Sequence, residues 1–274
     1  MNMETQGLAN AVGAPLGTRS VAYSSDDAIL YALAVGAGTD SLDLIYEKNL
    51  RVLPTYATTL GLWVADAAGA LGLFTPQEAL HGAQELVIHE ELPRSGIIEI
   101  TGRVAAVWDK GQGAVLDVEA TSTYFTATYS IFLPGRGGWG GPRGSSTGRA
   151  SGAEPTWTGS LETWAAQPAL YRLTGDKHLI HIDPDGARAA GLAGVIMHGL
   201  CTFGSAAREL AAATGAHAAD LRQIRARFAA PVIPGDDVAL AAWATSTSEV
   251  EFTAHSNGST VLTGGYAHFQ RGDT

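Results

Sequence analysis

The sequence predicts an α+β fold made of two tandem units, each an antiparallel sheet wrapped around a long central helix. A stretch dominated by Gly, Ser, Arg and Pro at 134–155 cannot pack a core, and it divides the 274-residue chain into two parts of domain size. Both parts open with a Tyr-x-Leu segment, at Tyr31 and at Tyr171. In both, a long run of small and apolar residues follows, and then come alternating segments typical of strands.

The central helices are predicted at 55–73 and 195–214. Apolar, Ala and Gly positions cover most of the circumference of both runs, as expected for a helix enclosed by other structure. The predicted strands follow at 86–92, 96–110, 114–122, 124–133, 222–233, 236–246, 249–256 and 260–269. The last two are joined by Asn257-Gly258, which favours a hairpin turn over the glycosylation sequon that it formally matches. Four segments result: a flexible N-terminus at 1–20, a first unit at 21–134, a linker at 135–155 and a second unit at 156–274.

Composition excludes several classes of function. The chain is 46% hydrophobic and 16% charged, and its net charge of −10 includes no basic run, so nucleic acid and anionic membranes are poor partners. Cys201 is the single cysteine, which excludes an internal disulfide and zinc sites of the CxxC type. Neither a signal peptide nor an apolar run long enough to span a membrane is found, so we expect a cytoplasmic protein.

The stretch YRLTGDKHLIHIDP, 171–184, carries the strongest chemical signal. Asp176 and His181 are five positions apart, which a regular helix would set on different faces. A loop entering a helix can bring them together, and Asp183 before Pro184 predicts such a helix start. A solvated turn explains the same spacing, so spacing alone leaves both interpretations open.

A second signal lies at the predicted start of the second central helix. Gly199 there would leave an unpaired amide at the positive end of the helix dipole, open to a carbonyl oxygen. Tight packing between helix and sheet explains a glycine equally well.

Together these signals resemble a known family. The segment from Tyr171 to Phe203 is similar to the motif of the MaoC-like, or type 2, enoyl-CoA hydratases: Tyr-x-x-(Ser/Thr)-Gly-Asp-x-Asn-Pro-(Leu/Ile)-His, then a His-Gly-Leu helix start. The matching residues are Tyr171, Thr174, Gly175, Asp176, Ile180, His181, His198, Gly199 and Leu200. Further landmarks are LPT at Leu53, HGAQ at His81, DKGQGAV at Asp109, GRGGWGG at Gly135 and RFAAPVIPGD at Arg227.

The resemblance implies a double hotdog fold in which the first unit has lost its catalytic residues. It implies reversible hydration of trans-2-enoyl thioesters, or dehydration of (3R)-3-hydroxyacyl thioesters, carried by coenzyme A or a carrier protein. Asp176 and His181 would hold water and transfer protons, and the Gly199 amide would bind the thioester oxygen. The substrate and coenzyme A site would be formed by His81, Gly82, Lys110, His198 and Phe228. No cofactor is implied, and homodimers are common in the family, although two fused units could suffice alone.

The motif departs from the family at one point, because His178-Leu179 stands where Asn-Pro is expected. An imidazole can replace the hydrogen bonds of an amide, or it can redirect the chemistry. Three functions therefore stay open: a hydratase or dehydratase, a diverged enzyme that dehydrates or closes a ring on a polyketide-like substrate, and a non-catalytic thioester-binding subunit. Asp176, His178 and His181 could also hold a metal, but the resemblance assigns them proton transfer, so no metal is predicted.

Overall fold

The computed structural model describes residues 7–75, 78–144 and 153–270. Within them the strands form one antiparallel sheet of ten, in the order β1-β3-β4-β5-β2-β7-β10-β9-β8-β6. The strands are β1 Pro15–Tyr23, β2 Leu80–Ile88, β3 Gly96–Asp109, β4 Gly113–Thr121, β5 Phe125–Pro134, β6 Trp157–Leu161, β7 Leu221–Phe228, β8 Val238–Ala244, β9 Glu249–Ser256 and β10 Ser259–Phe269. The helices used below are α1 Ser25–Ala34, α2 Leu42–Ile45, α3 Ala57–Leu60, α4 Trp63–Ala70, α5 Gln167–Tyr171, α6 Pro184–Ala189 and α7 Gly199–Thr214.

The sheets of the two halves join along β2 and β7. These strands pair antiparallel from Ala83 opposite Arg227 to Val87 opposite Gln223. Strand β5, beside β2, alternates between buried and half-buried residues, which is the pattern of a strand with one face on the core. Each of the eight predicted strands overlaps an observed one, but β2 runs from Leu80 to Ile88 and shares only three residues with the strand predicted at 86–92. The hairpin turn has Asn257 and Gly258 at positive φ, as a type I′ turn requires.

Helix α7 is the predicted central helix of the second half. It is 16 residues long, and its buried residues include Leu200, Phe203 and Leu210. Gly215 ends it in the left-handed conformation, at φ 69°. A β-carbon on Gly204 would lie 2.5 Å from the Tyr31 hydroxyl, so a glycine there lets α1 of the first half approach α7.

The prediction of one long helix at 55–73 is wrong. A 3-10 turn at Pro54–Tyr56 leads into α3, and α4 starts three residues after α3 ends. The Tyr129 hydroxyl donates to the Thr58 carbonyl at 2.6 Å, so the Leu62 amide pairs with Thr59 rather than with Thr58. A side chain of the sheet thus occupies one backbone carbonyl of the helix, and the helix tightens to a 3-10 turn at that point.

The structure also differs from the segment boundaries expected at the N-terminus and at the linker. Strand β1 pairs with β3 from Pro15 to Tyr23, so 15–20 belong to the sheet and not to a flexible arm. Within the expected linker, Gly138, Gly140 and Gly141 donate backbone hydrogen bonds to the Asp109 carboxylate. The β3–β4 turn therefore organises 138–141, whereas residues 145–152 of the Gly-rich stretch lie outside the described residues.

Side chains of the second half cap the first helix of the first half. The Ala34 carbonyl accepts from Gln167 Nε2 at 2.9 Å and from Cys201 Sγ at 3.4 Å. Arg208 Nε donates to the Val35 carbonyl at 3.3 Å. These contacts satisfy carbonyls at the end of α1, which has no basic residue in its own last turn. In the described part of the chain, no helix is long and apolar enough to cross a membrane.

Candidate active site

Gly175 directs the loop that carries the candidate acid. It follows α5 and a 3-10 turn at Arg172–Thr174 and has a φ of 142°, which L residues rarely adopt. A β-carbon there would also lie 3.1 Å from Thr59 Cγ2 of the first half. Glycine therefore permits both the bend and the close contact that present Asp176, the next residue.

The loop after Asp176 is held by short-range hydrogen bonds. Asp176 Oδ1 accepts from the His178 amide at 3.1 Å. His178 caps the 3-10 turn Leu179–His181, and its Nδ1 accepts from the Ile180 amide at 3.4 Å. As predicted, Asp183 caps the next helix, α6, and Pro184 is its first residue. The loop does enter a helix and keeps Asp176 half-buried.

His181 has the properties of a neutral base. Its side chain is buried, and its Nδ1 donates to the Ile196 carbonyl at 2.9 Å, which leaves the Nε2 lone pair free. Burial lowers the pKa of His181 below its ordinary value, since desolvation disfavours the charged ring. The ring is therefore uncharged at neutral pH.

His198 stacks on His181. The ring centroids are 3.8 Å apart at an interplanar angle of 28°. Nε2 of His198 donates to the Asp176 carbonyl at 3.3 Å, and its Nδ1 has no partner among the described residues. Burial, and then the charge of His181, lowers the pKa of His198 to about 3. His198 is thus a neutral ring that braces His181 and the backbone of Asp176.

Side-chain ligand atoms of Asp176, His181 and His198 all lie within 4.8 Å of one another. Two histidines and a carboxylate can bind a divalent metal. Nearly parallel rings, however, do not aim both nitrogen lone pairs at one point. His178, the other histidine considered for a metal, is exposed, with its ring centroid 6.0 Å from that of His181. The arrangement suits proton transfer better than coordination.

Gly199 places an open amide beside this cluster. It is the first residue of α7, and the capping residue His198 makes no side-chain hydrogen bond to the helix start. Within 7–75, 78–144 and 153–270, the Gly199 amide has no hydrogen-bond acceptor. A β-carbon on Gly199 would lie 3.1 Å from the Phe228 ring. The Phe228 ring thus lies close to the α-carbon of Gly199, and a side chain at Gly199 would crowd the approach to the amide.

The first half contributes His81 at the β2–β7 junction. Its ring meets Phe228 edge-on with centroids 4.8 Å apart, and its Nε2 donates to Gln84 Oε1 at 3.1 Å. Burial lowers the pKa of His81 to about 4. Gly82 stands at a bulge, where a β-carbon would lie 3.3 Å from Phe132 Cβ. The structure thus brings together His81 and Phe228, which are far apart in sequence.

Lys110 lies at the same end of the sheet but apart from this cluster. It follows β3, and its Nζ donates to the Arg143 carbonyl. No hydrogen bond or ring contact joins Lys110 to His81 or Phe228 in the described chain. Its place in a coenzyme A site stays a prediction.

Two open surface pockets lie elsewhere, at other contacts between the halves. One, of about 410 Å³, is lined by residues that include Gly36, Trp164 and Arg208. The other, of about 320 Å³, includes Arg51 and Ala219. Neither is lined by Asp176 or His181. Cavity size alone therefore does not mark the chemical site of this fold.

Comparison with known proteins gives the family of the chain. Residues 145–264 match the MaoC like domain, and residues 21–133 match the MFE-2 hydratase 2 N-terminal domain. The chain is 35% identical to 3-hydroxyacyl-thioester dehydratase Y of Mycobacterium tuberculosis, over 91% of this chain and 92% of that protein. The chain belongs to the MaoC-like hydratase and dehydratase family. By its family it is a hydro-lyase of the MaoC type.

Other members of the MaoC-like family extend the likeness. The peroxisomal multifunctional enzyme type 2 of Mus musculus is 35% identical over 96% of this chain, which corresponds to 38% of that longer protein. The crystal structure of a MaoC-like dehydratase from Phytophthora capsici superposes with a TM-score of 0.87, covering 99% of this chain and 98% of that one at 24% identity. The predicted double hotdog fold is confirmed.

Sequence reasoning missed one group near the loop. Asp66 of α4 lies in the first half, and the charges of Asp176 and His178 both act on its carboxylate. A single acid inside an apolar run carries no sequence signal for this, because its position depends on how the two halves meet. His198, which the resemblance assigns to the substrate site, stacks on His181, and its part in substrate binding stays a prediction.

Proposed function

We propose that this chain catalyses the reversible addition of water to trans-2-enoyl thioesters through Asp176 and His181, with the Gly199 amide stabilising the thioester oxygen. The observation that carries the proposal is the approach of the carboxylate and the imidazole to within 4.8 Å, beside an unpaired helix-start amide.

In the proposed reaction, water lies between the Asp176 carboxylate and Nε2 of His181. Because Nδ1 of His181 is committed to the Ile196 carbonyl, Nε2 is the nitrogen that can accept a proton. As the water oxygen bonds to C3, its proton passes to Nε2, and the electron pair of the C2–C3 double bond moves toward the thioester carbonyl. The imidazolium then delivers that proton to C2, and the Asp176 carboxylate stabilises its charge. Net consumption is one water, and the reverse sequence dehydrates the hydroxyacyl thioester.

The negative charge that develops on the thioester oxygen needs a fixed donor. The Gly199 amide stands at the positive end of the 16-residue α7. A preorganised amide of this kind typically contributes about 10²–10³ in rate. The absence of a side chain at Gly199, against the Phe228 ring, leaves the oxygen a path to the amide.

The first half supplies a wall of the site in this proposal. His81 and Phe228 meet at the strand junction, so the thioester end of the substrate would enter between the halves. Lys110 is proposed to contact a phosphate of coenzyme A or of the prosthetic group of a carrier protein. All of these groups belong to one chain, so activity is expected of a monomer as well as of a homodimer.

A second candidate is the addition of a substrate's own hydroxyl to C3, which closes a ring. One observation favours it: His178, in place of the family asparagine, adds an exposed imidazole whose ring centroid is 6.0 Å from that of His181. The same base and the same amide would serve, with the hydroxyl in place of water.

The direct test is incubation with crotonyl-CoA while the absorbance of the enoyl thioester is followed. Hydration lowers that absorbance, and chiral chromatography of the product should give the (3R)-3-hydroxy acid. Failure to turn over crotonyl-CoA or longer 2-enoyl thioesters, on coenzyme A or on a carrier protein, would overturn the proposal. A (3S)-3-hydroxy acid would contradict the expected (3R) stereochemistry of the product.

A further inference from the structure

Thr59 of the first half contacts the segment that leads into Asp176 at two points. Its hydroxyl lies 3.3 Å from the Tyr171 hydroxyl, where both side chains are buried. Its methyl carbon Cγ2 lies against Gly175, where a β-carbon would be only 3.1 Å away. Asp176 follows Gly175 directly in the chain. A single side chain of the first half thus borders both ends of the short segment that presents the carboxylate.

Thr59 is itself held in a fixed position. It belongs to the short helix α3, which lies directly on the first-half sheet. The Tyr129 hydroxyl of β5 donates to the Thr58 carbonyl at 2.6 Å. A β-carbon on Gly61 would lie 2.8 Å from Ala120 Cβ of β4, so the helix and the strand are in close contact. Closely packed elements have little freedom to shift, and α3 therefore offers the segment a rigid support.

The Tyr171 ring extends this support to the base. It packs against His198 with ring centroids 4.8 Å apart. His198 stacks on His181 with centroids 3.8 Å apart, and its Nε2 donates to the Asp176 carbonyl at 3.3 Å. All three rings are buried. A continuous series of packed side chains therefore joins Thr59 to both groups that the proposed reaction uses.

We infer that Thr59 is a positioning residue for the proposed hydration, and that the first half fixes the carboxylate and the base of the second half through it. Its hydroxyl fixes Tyr171, and its methyl group limits the movement of Gly175. Asp176 and His181 then keep the separation at which one water molecule contacts both. A displacement of about 1 Å at such a site can lower a rate by about 10²-fold. This inference rests on the proposed function and gives the first half a part in catalysis.

The alternative role for Thr59 is to hold the two halves together. That role would lower the stability of the protein but would leave kcat of the folded enzyme unchanged. Thr58 is the matched control, because it is the neighbouring residue and is also buried. Its hydroxyl donates to the Thr55 carbonyl at 2.8 Å, within the first half. The same substitution at the two threonines therefore separates positioning from stability.

The first experiment measures kcat and KM for crotonyl-CoA in Thr59→Val, Thr59→Ser, Thr59→Ala and Thr58→Val. Valine removes the hydroxyl and keeps the shape, serine removes the methyl group, and alanine removes both. We expect kcat to fall by about 10-fold in Thr59→Val and Thr59→Ser and by about 10²-fold in Thr59→Ala. Thr58→Val should keep the wild-type kcat. Circular dichroism gives the folded fraction by which each kcat is corrected.

Substrate binding should not change in these variants, because Thr59 acts on the reacting groups through other residues. KM for crotonyl-CoA, and the Kd of the saturated thioester butyryl-CoA, should stay within about twofold of the wild type. Isothermal titration calorimetry measures this Kd without turnover. A loss confined to kcat is the result that a positioning role predicts.

A second experiment tests the contact between the hydroxyls. Tyr171→Phe removes the other hydroxyl of the pair and keeps the ring that packs on His198. Because Thr59→Val and Tyr171→Phe break the same contact, their effects on kcat should not multiply. The double variant should have about the kcat of the slower single variant.

Three results would overturn the inference and leave the proposed function intact. They are an unchanged kcat in folded Thr59→Val and Thr59→Ala, an equal fall of kcat in Thr58→Val, and a kcat of the double variant that is the product of the two single effects. A raised KM with the wild-type kcat in the Thr59 variants would also overturn it. No turnover of any enoyl thioester by the wild type would instead contradict the proposed function, and the inference with it.

Discussion

The two halves of the molecule share a plan but differ at the central helix. In the second half, α7 runs unbroken for 16 residues, and its first amide has no partner in the described chain. In the first half, the Tyr129 hydroxyl donates a hydrogen bond to the Thr58 carbonyl, and the helix divides into α3 and α4. The comparison shows that the repeated fold does not itself carry the chemistry, which depends on one loop and one helix start.

The loops that precede these helices differ in the same way. Tyr31 and Tyr171 occupy matching places, and their rings lie 6.0 Å apart. After Tyr171 the chain presents Asp176, whereas after Tyr31 the carbonyls of Ala34 and Val35 accept from side chains of the second half. The first-half loop holds the halves together, and the second-half loop faces the site.

The largest effect should come from removing the base. His181→Gln removes the lone pair that accepts a proton, and we expect kcat to fall by about 10²–10⁴. The matched first-half change is His89→Gln, at an exposed histidine that contacts Thr126, and it should leave kcat unchanged. Rates of crotonyl-CoA hydration measure both. A similar fall in kcat in the two variants would mean that catalysis does not depend on the second half more than on the first.

Two glycines of α7 should respond differently to alanine. Gly199→Ala pushes a methyl toward the Phe228 ring at 3.1 Å and narrows access to the amide, so kcat/KM should fall by about 10- to 100-fold with little change in Tm. Gly204→Ala meets the Tyr31 hydroxyl at 2.5 Å and should lower the free energy of unfolding by about 1–3 kcal/mol. Kinetics and thermal unfolding of each variant separate the roles. The comparison fails if Gly199→Ala loses stability but keeps its kcat/KM.

Buried histidines should make stability depend on pH. An unfolded histidine titrates near 6.5, whereas burial lowers the pKa of His81 to about 4. Between these values the unfolded chain binds more protons, so the free energy of unfolding should fall as pH falls from about 6.5 to 4, by on the order of 2 kcal/mol from His81. His81→Gln should reduce this slope, and His89→Gln should not. Urea unfolding at several pH values gives the slopes, and equal slopes in His81→Gln and the wild type would contradict the assignment.

The smallest effect concerns the glycine-rich segment after the first half. Hydrogen bonds from the Gly138 and Gly111 amides lower the pKa of Asp109 to about 2. Asp109→Asn replaces one acceptor oxygen with a donor that faces backbone amides, so cleavage by trypsin after Arg136 should become faster. Mass spectrometry of the fragments detects this, with Asp40→Asn as the control. Unchanged cleavage in Asp109→Asn would show that the carboxylate does not hold this segment.

Most strands and the second central helix could be predicted from the sequence because alternation and the apolar run are local signals. Strands β1 and β6 were missed because each lies at an edge of the sheet and has little apolar alternation. The break in the first-half helix could not be seen either, since its cause is the Tyr129 hydroxyl from a distant strand. Long-range hydrogen bonds override local helix propensity there.

The same limit applies to the candidate site. The pattern around Asp176 and His181 was visible because both residues belong to one short loop. The stacking of His198 on His181, and the approach of His81 to Phe228, depend on how helix and strands assemble. Asp66 carried no signal, because its electrostatic interaction with Asp176 and His178 depends on how the two halves meet.

The most direct test of the central claim is the single-turnover rate of crotonyl-CoA hydration by Asp176→Asn beside Asp40→Asn, a control at an aspartate that follows α1 in the first half. Circular dichroism of both variants checks that the fold is retained. The account predicts that Asp176→Asn loses at least about 10²-fold in rate and that Asp40→Asn keeps the wild-type rate. Full activity in a folded Asp176→Asn variant would contradict it.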